Sequence, residues 1–411
     1  MPLNLWESDM NIYEYQAKGI FKKFGVSVPN GLIAYTPLEA QNAAQKLSAE
    51  GPWIVKAQVR AGGRNIGKFK DRRAGKKGGI RLSKTFGEVY ANADEMIENR
   101  LVTAQTGNRG LLVSRVYVEE YIKTSQKFYL SLVVNSATAS VMLLLAPVTQ
   151  KGDDDIIEMA THTPAKLLNI DLGFEKSIST TALSQIADFM QYKGAKSRIK
   201  SFLNKLLDIF YGYDAIKLEI NPIGIDKDNT LWALDAKIVF DDNALYRHPD
   251  ILRLRPMAEI EEREVVVAKF GFDYKELDTG IGIITNGNGV ALNVITEAQK
   301  CGLDIACSLN IKGGVDRDKI AASIKLIMTN PSVDGIFIDI VGGFTRCNLV
   351  ADGIITVAND LGLNIPIVVR FEGTNKDDAV NILNASQLPI QIADSTYSGL
   401  MLAKAAIAED L

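Results

Sequence analysis

Polar and apolar residues alternate along 217–222 (Lys-Leu-Glu-Ile-Asn-Pro), and a second apolar, strand-like run, 231–237 (Leu-Trp-Ala-Leu-Asp-Ala-Lys), ends in the same alternation, with the turn Asp226-Lys227-Asp228-Asn229 between them. Alternation of this kind predicts two half-buried strands, and the turn joins them into a β-hairpin. Side chains two apart on a strand share a face. Glu219, Asn221 and Asp235 therefore project oxygens from the polar side, while the residues between them bury the other. A carboxylate and an amide carbonyl that converge with phosphate oxygens and water make up the hard-oxygen set taken by Mg²⁺. A solvated hairpin face is the plainer origin of an isolated Asp or Asn, but it does not explain the apolar residues interleaved here.

Upstream, apolar positions at near-helical spacing predict a helix over 11–24, ended by Gly25. A short strand follows at 31–35. Thr36 and Pro37 then open a second helix, as N-cap and first helical residue. Strands are predicted at 53–59, 80–82, 115–120, 128–135 and 141–145, the last two as a hairpin, and helices at 181–190 and 201–211. This mixed α+β pattern ends near Arg247. After a charged link at 259–264 the pattern changes, with strands at 282–285, 304–310, 335–340, 366–371 and 389–392 separated by helical intervals. Strict alternation implies a parallel sheet with right-handed crossovers and both faces covered. The expected fold class is thus an α+β unit at 10–255, followed at 256–411 by an α/β, flavodoxin-like doubly wound sheet that binds ligands at the carboxyl ends of its strands.

Composition adds exclusions. With 47% hydrophobic and 23% charged residues and a net charge of -3, the chain is an ordinary globular sequence without the broad basic field that nucleic acid requires. No apolar run approaches the roughly 20 residues that cross a bilayer. The first nine residues carry two acids and no Arg or Lys, unlike a signal or transit peptide. Three cysteines without ligand spacing point to a reducing compartment. With only His162 and His248, a histidine metal site or triad is not expected, and any phosphorylated histidine belongs to another chain.

Other residues carry candidate chemistry. Lys56 lies inside a strand just before Gly62-Gly63-Arg64, where a glycine-rich loop can bring backbone N–H groups against phosphate. A basic surface hairpin is the competing explanation for the many Lys and Arg between Arg64 and Lys77. Glu119 ends a strand where a carboxylate can accept from an adenine amino group or a ribose hydroxyl. In the second half, Asn286-Gly287-Asn288-Gly289 and Val341-Gly342-Gly343-Phe344-Thr345-Arg346 each join a strand to a helix. The amino end of a helix is a ready anion site, although glycines also serve simple βα turns. Cys347 reads as a small buried helix residue and His248 as part of a structural link.

Taken in order, these pieces resemble the β subunit of succinate–CoA ligase. The resemblance rests on Asn11-Ile12-Tyr13-Glu14-Tyr15-Gln16-Ala17-Lys18, Val55-Lys56-Ala57-Gln58-Val59, Ala61-Gly62-Gly63-Arg64, Leu101-Val102-Thr103-Ala104-Gln105-Thr106-Gly107, Glu219-Ile220-Asn221-Pro222, Leu234-Asp235-Ala236-Lys237, Phe240-Asp241-Asp242-Asn243-Ala244-Leu245 and Gly342-Gly343 with Arg346-Cys347. It runs from about Met10 to near the end, and the segment Gly67-Lys68-Phe69-Lys70 is most like α-proteobacterial members.

The resemblance implies an N-terminal ATP-grasp domain and a C-terminal CoA-ligase domain. It implies reversible formation of succinyl-CoA through an acyl phosphate and a phosphohistidine on a partner α subunit, which also holds most of the CoA. The implied cofactors are Mg²⁺ and ATP, with GTP as an alternative; Pro29 is a hint toward ATP. On this chain Lys56, Gly63, Arg64, Asn65, Glu119, Ile122 and Lys127 fall at nucleotide positions. Asn221 and Asp235 fall at Mg²⁺ positions, Glu219 at the position that orients the incoming histidine, and Asn286, Gly343, Phe344 and Thr345 at carboxylate-substrate positions. The implied compartment is a bacterial cytoplasm or a mitochondrial matrix. Four departures stand out: Asn65 for a loop glycine, Lys127 for a nucleotide-binding Glu, the run 149–153, and Asn310-Ile311-Lys312-Gly313-Gly314 for an Asp-Val-Gly-Gly-Gly turn. They leave room for another acid, such as malate, or for a non-catalytic assembly subunit.

Overall fold

The computed structural model describes residues 10–106, 108, 110–148, 166–255, 262–362 and 365–409. The run 149–153, His162, Gly107 and residues 259–261 of the charged link lie outside the described residues. The chain forms two compact units, Met1–Arg255 and Pro256–Leu411.

The first unit is built on a seven-stranded antiparallel sheet in the order Met10–Asn11, Lys237–Phe240, Ala215–Ile225, Gln126–Asn135, Ser140–Pro147 and Leu168–Asp171, with Leu231–Ala233 also paired to Ala215–Ile225. Alternation gives this sheet its two faces. Leu130, Leu132, Leu143, Leu218, Ile220 and Ile238 point into one core with Ala17, Ile20 and Phe21 of the helix Glu14–Lys23 and with Phe202, Leu206 and Phe210 of the helix Lys196–Gly212. Lys127, Tyr129, Ser131, Lys217 and Glu219 lie on the other face, because Ser131 stands opposite Glu219, and Lys127 and Tyr129 follow from it at steps of two.

A second, four-stranded antiparallel sheet has the order Gly31–Ala34, Val116–Glu120, Trp53–Ala57 and Ile80–Ser83. Its core also takes in Ala40, Ala43 and Ala44 of the helix Pro37–Leu47 and Val89, Ala93 and Met96 of the helix Phe86–Met96. Thr36 caps the first of these helices as expected, its Oγ1 accepting from the Glu39 N–H at 3.2 Å.

Several expectations shift. Residue Asn11 belongs to a short strand paired with Val239 rather than to the first helix, which begins at Glu14. The strand expected to run to Val59 stops at Ala57. The loop after it turns at Gly63, where φ is +73°, and Asn65 does not take the left-handed conformation, so its missing glycine costs the backbone nothing. The glycine this loop does need is Gly78, since a Cβ there would lie 2.0 Å from the Asn65 carbonyl oxygen.

The second unit is a six-stranded sheet in the order Asp273–Glu276, Ile305–Asn310, Gly280–Thr285, Val333–Gly342, Ile367–Gly373 and Ile390–Ala393. Its five last-named strands are parallel and follow the flavodoxin order 2-1-3-4-5. The antiparallel edge strand Asp273–Glu276 was not anticipated. At this unit's altered turn, Lys312 sits at φ +58°, its N–H held by Asn310 Oδ1 at 2.9 Å. A left-handed non-glycine residue costs about 1–2 kcal/mol, part of which a glycine returns as unfolded-chain entropy. Lys312→Gly is therefore expected to raise the unit's stability by roughly 0.5–1 kcal/mol. A melting curve that falls on substitution would show the turn to be unstrained.

Candidate functional site

The hairpin forms, but its second arm is broken: strands cover Leu231–Ala233 and Lys237–Phe240, and Asp235 sits at a bend between them rather than on one continuous strand. Ile223 pairs with Ala233 on one side and Glu219 with Lys237 on the other, which carries Asn221 opposite Asp235. The Leu234 N–H to Pro222 carbonyl bond, 3.1 Å, holds the strands together between those pairs. Asn221 precedes a cis proline, and the sheet bulges between Ile220 and Ile223.

At this pair lies a set of six paired charges, five of them buried and the sixth, Asp235, part-exposed. Glu14 and Lys18 enter it from consecutive turns of the first helix, Lys56 and Glu119 from the four-stranded sheet, Arg64 from the glycine loop and Asp235 from the hairpin. The Lys18 ammonium is 2.9 Å from Glu14 and 2.5 Å from Glu119. Lys56 is 2.8 Å from Glu14 and 2.5 Å from Glu119. Arg64 reaches Glu14 at 2.8 Å and both oxygens of Asp235 at 2.9 Å, and donates to the Ala57 carbonyl at 3.0 Å. Both lysines also donate to the carbonyl of Leu234, from 2.8 Å and 2.6 Å, fixing the backbone next to Asp235.

Burial opposes ionisation of Glu14, but Lys18, Lys56 and Arg64 together outweigh it and hold the carboxyl well below its ordinary range. Burial raises Asp235, against the pull of Arg64. Burial also opposes the charge of Lys18 and Arg64, yet their carboxylate partners more than compensate and raise both.

Not every predicted position joins this set. Asn65 is exposed, Ile122 is half-buried in the connection after Glu120, and Lys127 is exposed on the Tyr129 face of its strand. Glu219 is engaged by Lys217 at 2.5 Å and by the Tyr129 hydroxyl at 3.2 Å. Three participants were not anticipated from the sequence: Glu14, Lys18 and Lys237. The last stands opposite Glu219, and burial pushes its ammonium below the ordinary lysine range. Glu14 and Lys18 did carry a signal, because they fall on the same helical stripe as Phe21 and so on a face that must be buried.

In the second unit the carboxyl ends of strands Gly280–Thr285 and Val333–Gly342 meet at the topological switch point. Asn286 bridges them: its Nδ2 donates to the Val341 carbonyl at 2.8 Å, and its Oδ1 accepts from the Val341 N–H at 2.9 Å. It braces the two turns rather than offering a free amide. Gly343 is exposed, Phe344 is wholly exposed at the tip of its turn, and Thr345 is buried. The helices Asn288–Lys300 and Cys347–Leu361 that follow lack side-chain caps, and the Cys347 N–H is taken by the Thr374 carbonyl at 3.0 Å. Cys347 is fully buried, as expected.

Residues 11–225 match the ATP-grasp domain family and residues 284–405 the CoA-ligase family. "Succinate--CoA ligase [ADP-forming] subunit beta" of Rhizorhabdus wittichii is 41% identical over 388 residues, 94% of this chain and 96% of that protein. The protein of the same name from Maricaulis maris is 38% identical over 402 residues, 97% of this chain and all of that one. This chain belongs to the succinate–CoA ligase β-subunit family. Among solved structures, an ATP citrate lyase from Methanothrix soehngenii in complex with citrate and coenzyme A superposes with a TM-score of 0.67 over 97% of this chain and 100% of that one. At 14% identity that likeness concerns the fold alone. Family membership and the 2-1-3-4-5 sheet together bear out the expected ATP-grasp and CoA-ligase architecture. No helix among the described residues is long and apolar enough to cross a membrane.

Proposed function

We propose that this chain is the nucleotide-handling β subunit of a succinate–CoA ligase, which joins succinate to CoA with a partner α subunit at the expense of ATP. The observation that supports this most is Asn221 facing Asp235 in register beside the buried cations Lys56 and Arg64. The residue types fit a magnesium ion: an amide and a carboxylate stand at opposite register positions, and Asp235 already holds a cation, the Arg64 guanidinium. Asn221 and Asp235 would hold the ion, whose positive charge would offset that of the nucleotide phosphates.

The rest of the proposed work belongs to the chain's own residues. Lys56 and Arg64 bring fixed positive charge to the phosphates, and the Gly62-Gly63-Arg64 loop brings backbone donors. Glu119 takes the nucleotide side of the set, with Ile122, Asn65 and Lys127 nearer the solvent. Glu219, held by Lys217 and Tyr129, orients a histidine arriving from the α subunit. In the second unit the Gly343-Phe344-Thr345 turn receives the carboxylate, and the uncapped helix after it stabilises a phosphoryl anion. CoA is assigned mainly to the α subunit.

The test is reconstitution with a cognate α subunit and a panel of acids at fixed CoA, Mg²⁺ and ATP or GTP. Thioester formation with a preference for succinate and ATP is expected. Preference for malate would move the substrate assignment, and a well-folded heteromer that makes no thioester with any acid would leave an assembly subunit as the remaining reading.

A further inference from the structure

Resting on the nucleotide reading above, we propose that Arg64 is a resident cation that closes the divalent-ion seat until a polyphosphate draws it away, so that metal enters with nucleotide and not before it. One guanidinium nitrogen, Nη2, lies 2.9 Å from both Asp235 oxygens, and the Ala236 N–H donates to Oδ1 at 2.8 Å. A metal ion approaching this carboxylate therefore meets a cation already touching each oxygen it would use.

Charge balance makes the obstruction energetic as well as steric. Lys18, Lys56 and Arg64 match Glu14, Glu119 and Asp235 one for one, and five of these six side chains are nearly inaccessible to water, Asp235 being the open one at 24% exposure. A bare divalent ion would add two positive charges to a neutral set in a poorly screened place, where like charges repel strongly. Asp235 is also the only member from which a ligand can enter from solvent.

Arg64 is built to leave. Its Nη1 is anchored on the Ala57 carbonyl at 3.0 Å, away from Asp235, while Nη2 is shared between Glu14 at 2.8 Å and Asp235, so a phosphate can take the N–H that faces Asp235 while Ala57 and Glu14 keep the guanidinium in place. An anion binding beside it competes with Asp235 for the same N–H group, and an N–H that turns to a phosphate oxygen frees a carboxylate oxygen for the metal. Phosphate and metal affinities are then coupled, and the coupling is reciprocal.

The probe is Mn²⁺ alone, followed by electron paramagnetic resonance on the full chain, with and without ATP. Wild-type protein is expected to bind free Mn²⁺ weakly and to bind it more tightly once ATP is present. Arg64→Gln is expected to bind free Mn²⁺ at least ~5-fold more tightly than wild type, with the ATP enhancement reduced. Asp235→Asn added to that variant should abolish the gain, which assigns it to this seat.

An Arg64→Gln variant with wild-type affinity for free Mn²⁺ would overturn the proposal. Should that variant fold poorly, wild-type crystals soaked in Mn²⁺ without nucleotide decide it: no anomalous peak at Asp235 is expected, and a peak there overturns the latch. The nucleotide reading fails separately, if wild-type protein shows no metal-dependent ATP binding at all.

Discussion

Asp235→Ala is expected to abolish nucleotide-dependent thioester formation, lowering kcat on the order of a thousandfold or more, while the fold survives. Its carboxylate is the charged group that stands opposite Asn221, and the neighbouring acids are already engaged: Glu14 and Glu119 are each bound to two or more cations, and Glu219 is held by Lys217 and the Tyr129 hydroxyl. Removing it also releases Arg64, which keeps Glu14 as a partner, so the stability loss should be modest. Steady-state kinetics of the reconstituted heteromer, with a melting curve as control, make the check. Retention of even a tenth of wild-type turnover would place the metal elsewhere.

The second large effect concerns stability rather than turnover. Glu14→Leu is expected to destabilise the first unit by about 3–5 kcal/mol, because it strips a carboxylate from three buried cations and leaves their charge uncompensated. The same group sets an acid dependence. Its pKa is depressed in the folded state, so its contribution is complete above the ordinary value of 4.5 and is lost as pH falls from there toward the folded value. Denaturant titrations at several pH values read both effects. A variant within about 1 kcal/mol of wild type at neutral pH would show that the cluster contributes little.

The hairpin and the second unit were legible because each has one dominant period. Alternation at 217–222 encodes a strand with one wet face, whereas nothing in 231–237 announces the break at 234–236 that sets Asp235 at a bend. Continuous apolar runs such as Ile336-Phe337-Ile338 encode strands covered on both sides. The edge strand Asp273–Glu276 was not legible, since Asp-Tyr-Lys-Glu shows neither pattern and is held by backbone pairing to Ile305–Asn310.

The helix Phe86–Met96 was not anticipated, although its start carries a signal. Thr85 accepts from the Glu88 N–H, and Glu88 reaches back to the Lys84 N–H, a start signal written in the sequence as Thr-x-x-Glu. The buried charge cluster is a different matter. Its six members come from five separate stretches of chain, and only tertiary packing brings them together. From the sequence Lys56 and Arg64 look like free phosphate ligands, whereas in the folded unit both are already paired with acids. Similarly Asn286, chosen for its amide, spends that amide on Val341.

Calorimetric titration of ATP into the full chain, with Mg²⁺ and then with EDTA, tests the central claim most directly when repeated on Asn221→Ala and Asp235→Asn. Binding that requires the metal and weakens at least ~100-fold in each variant is the predicted result. Tight binding that persists in EDTA, or that neither substitution disturbs, would contradict a metal and nucleotide site at this hairpin.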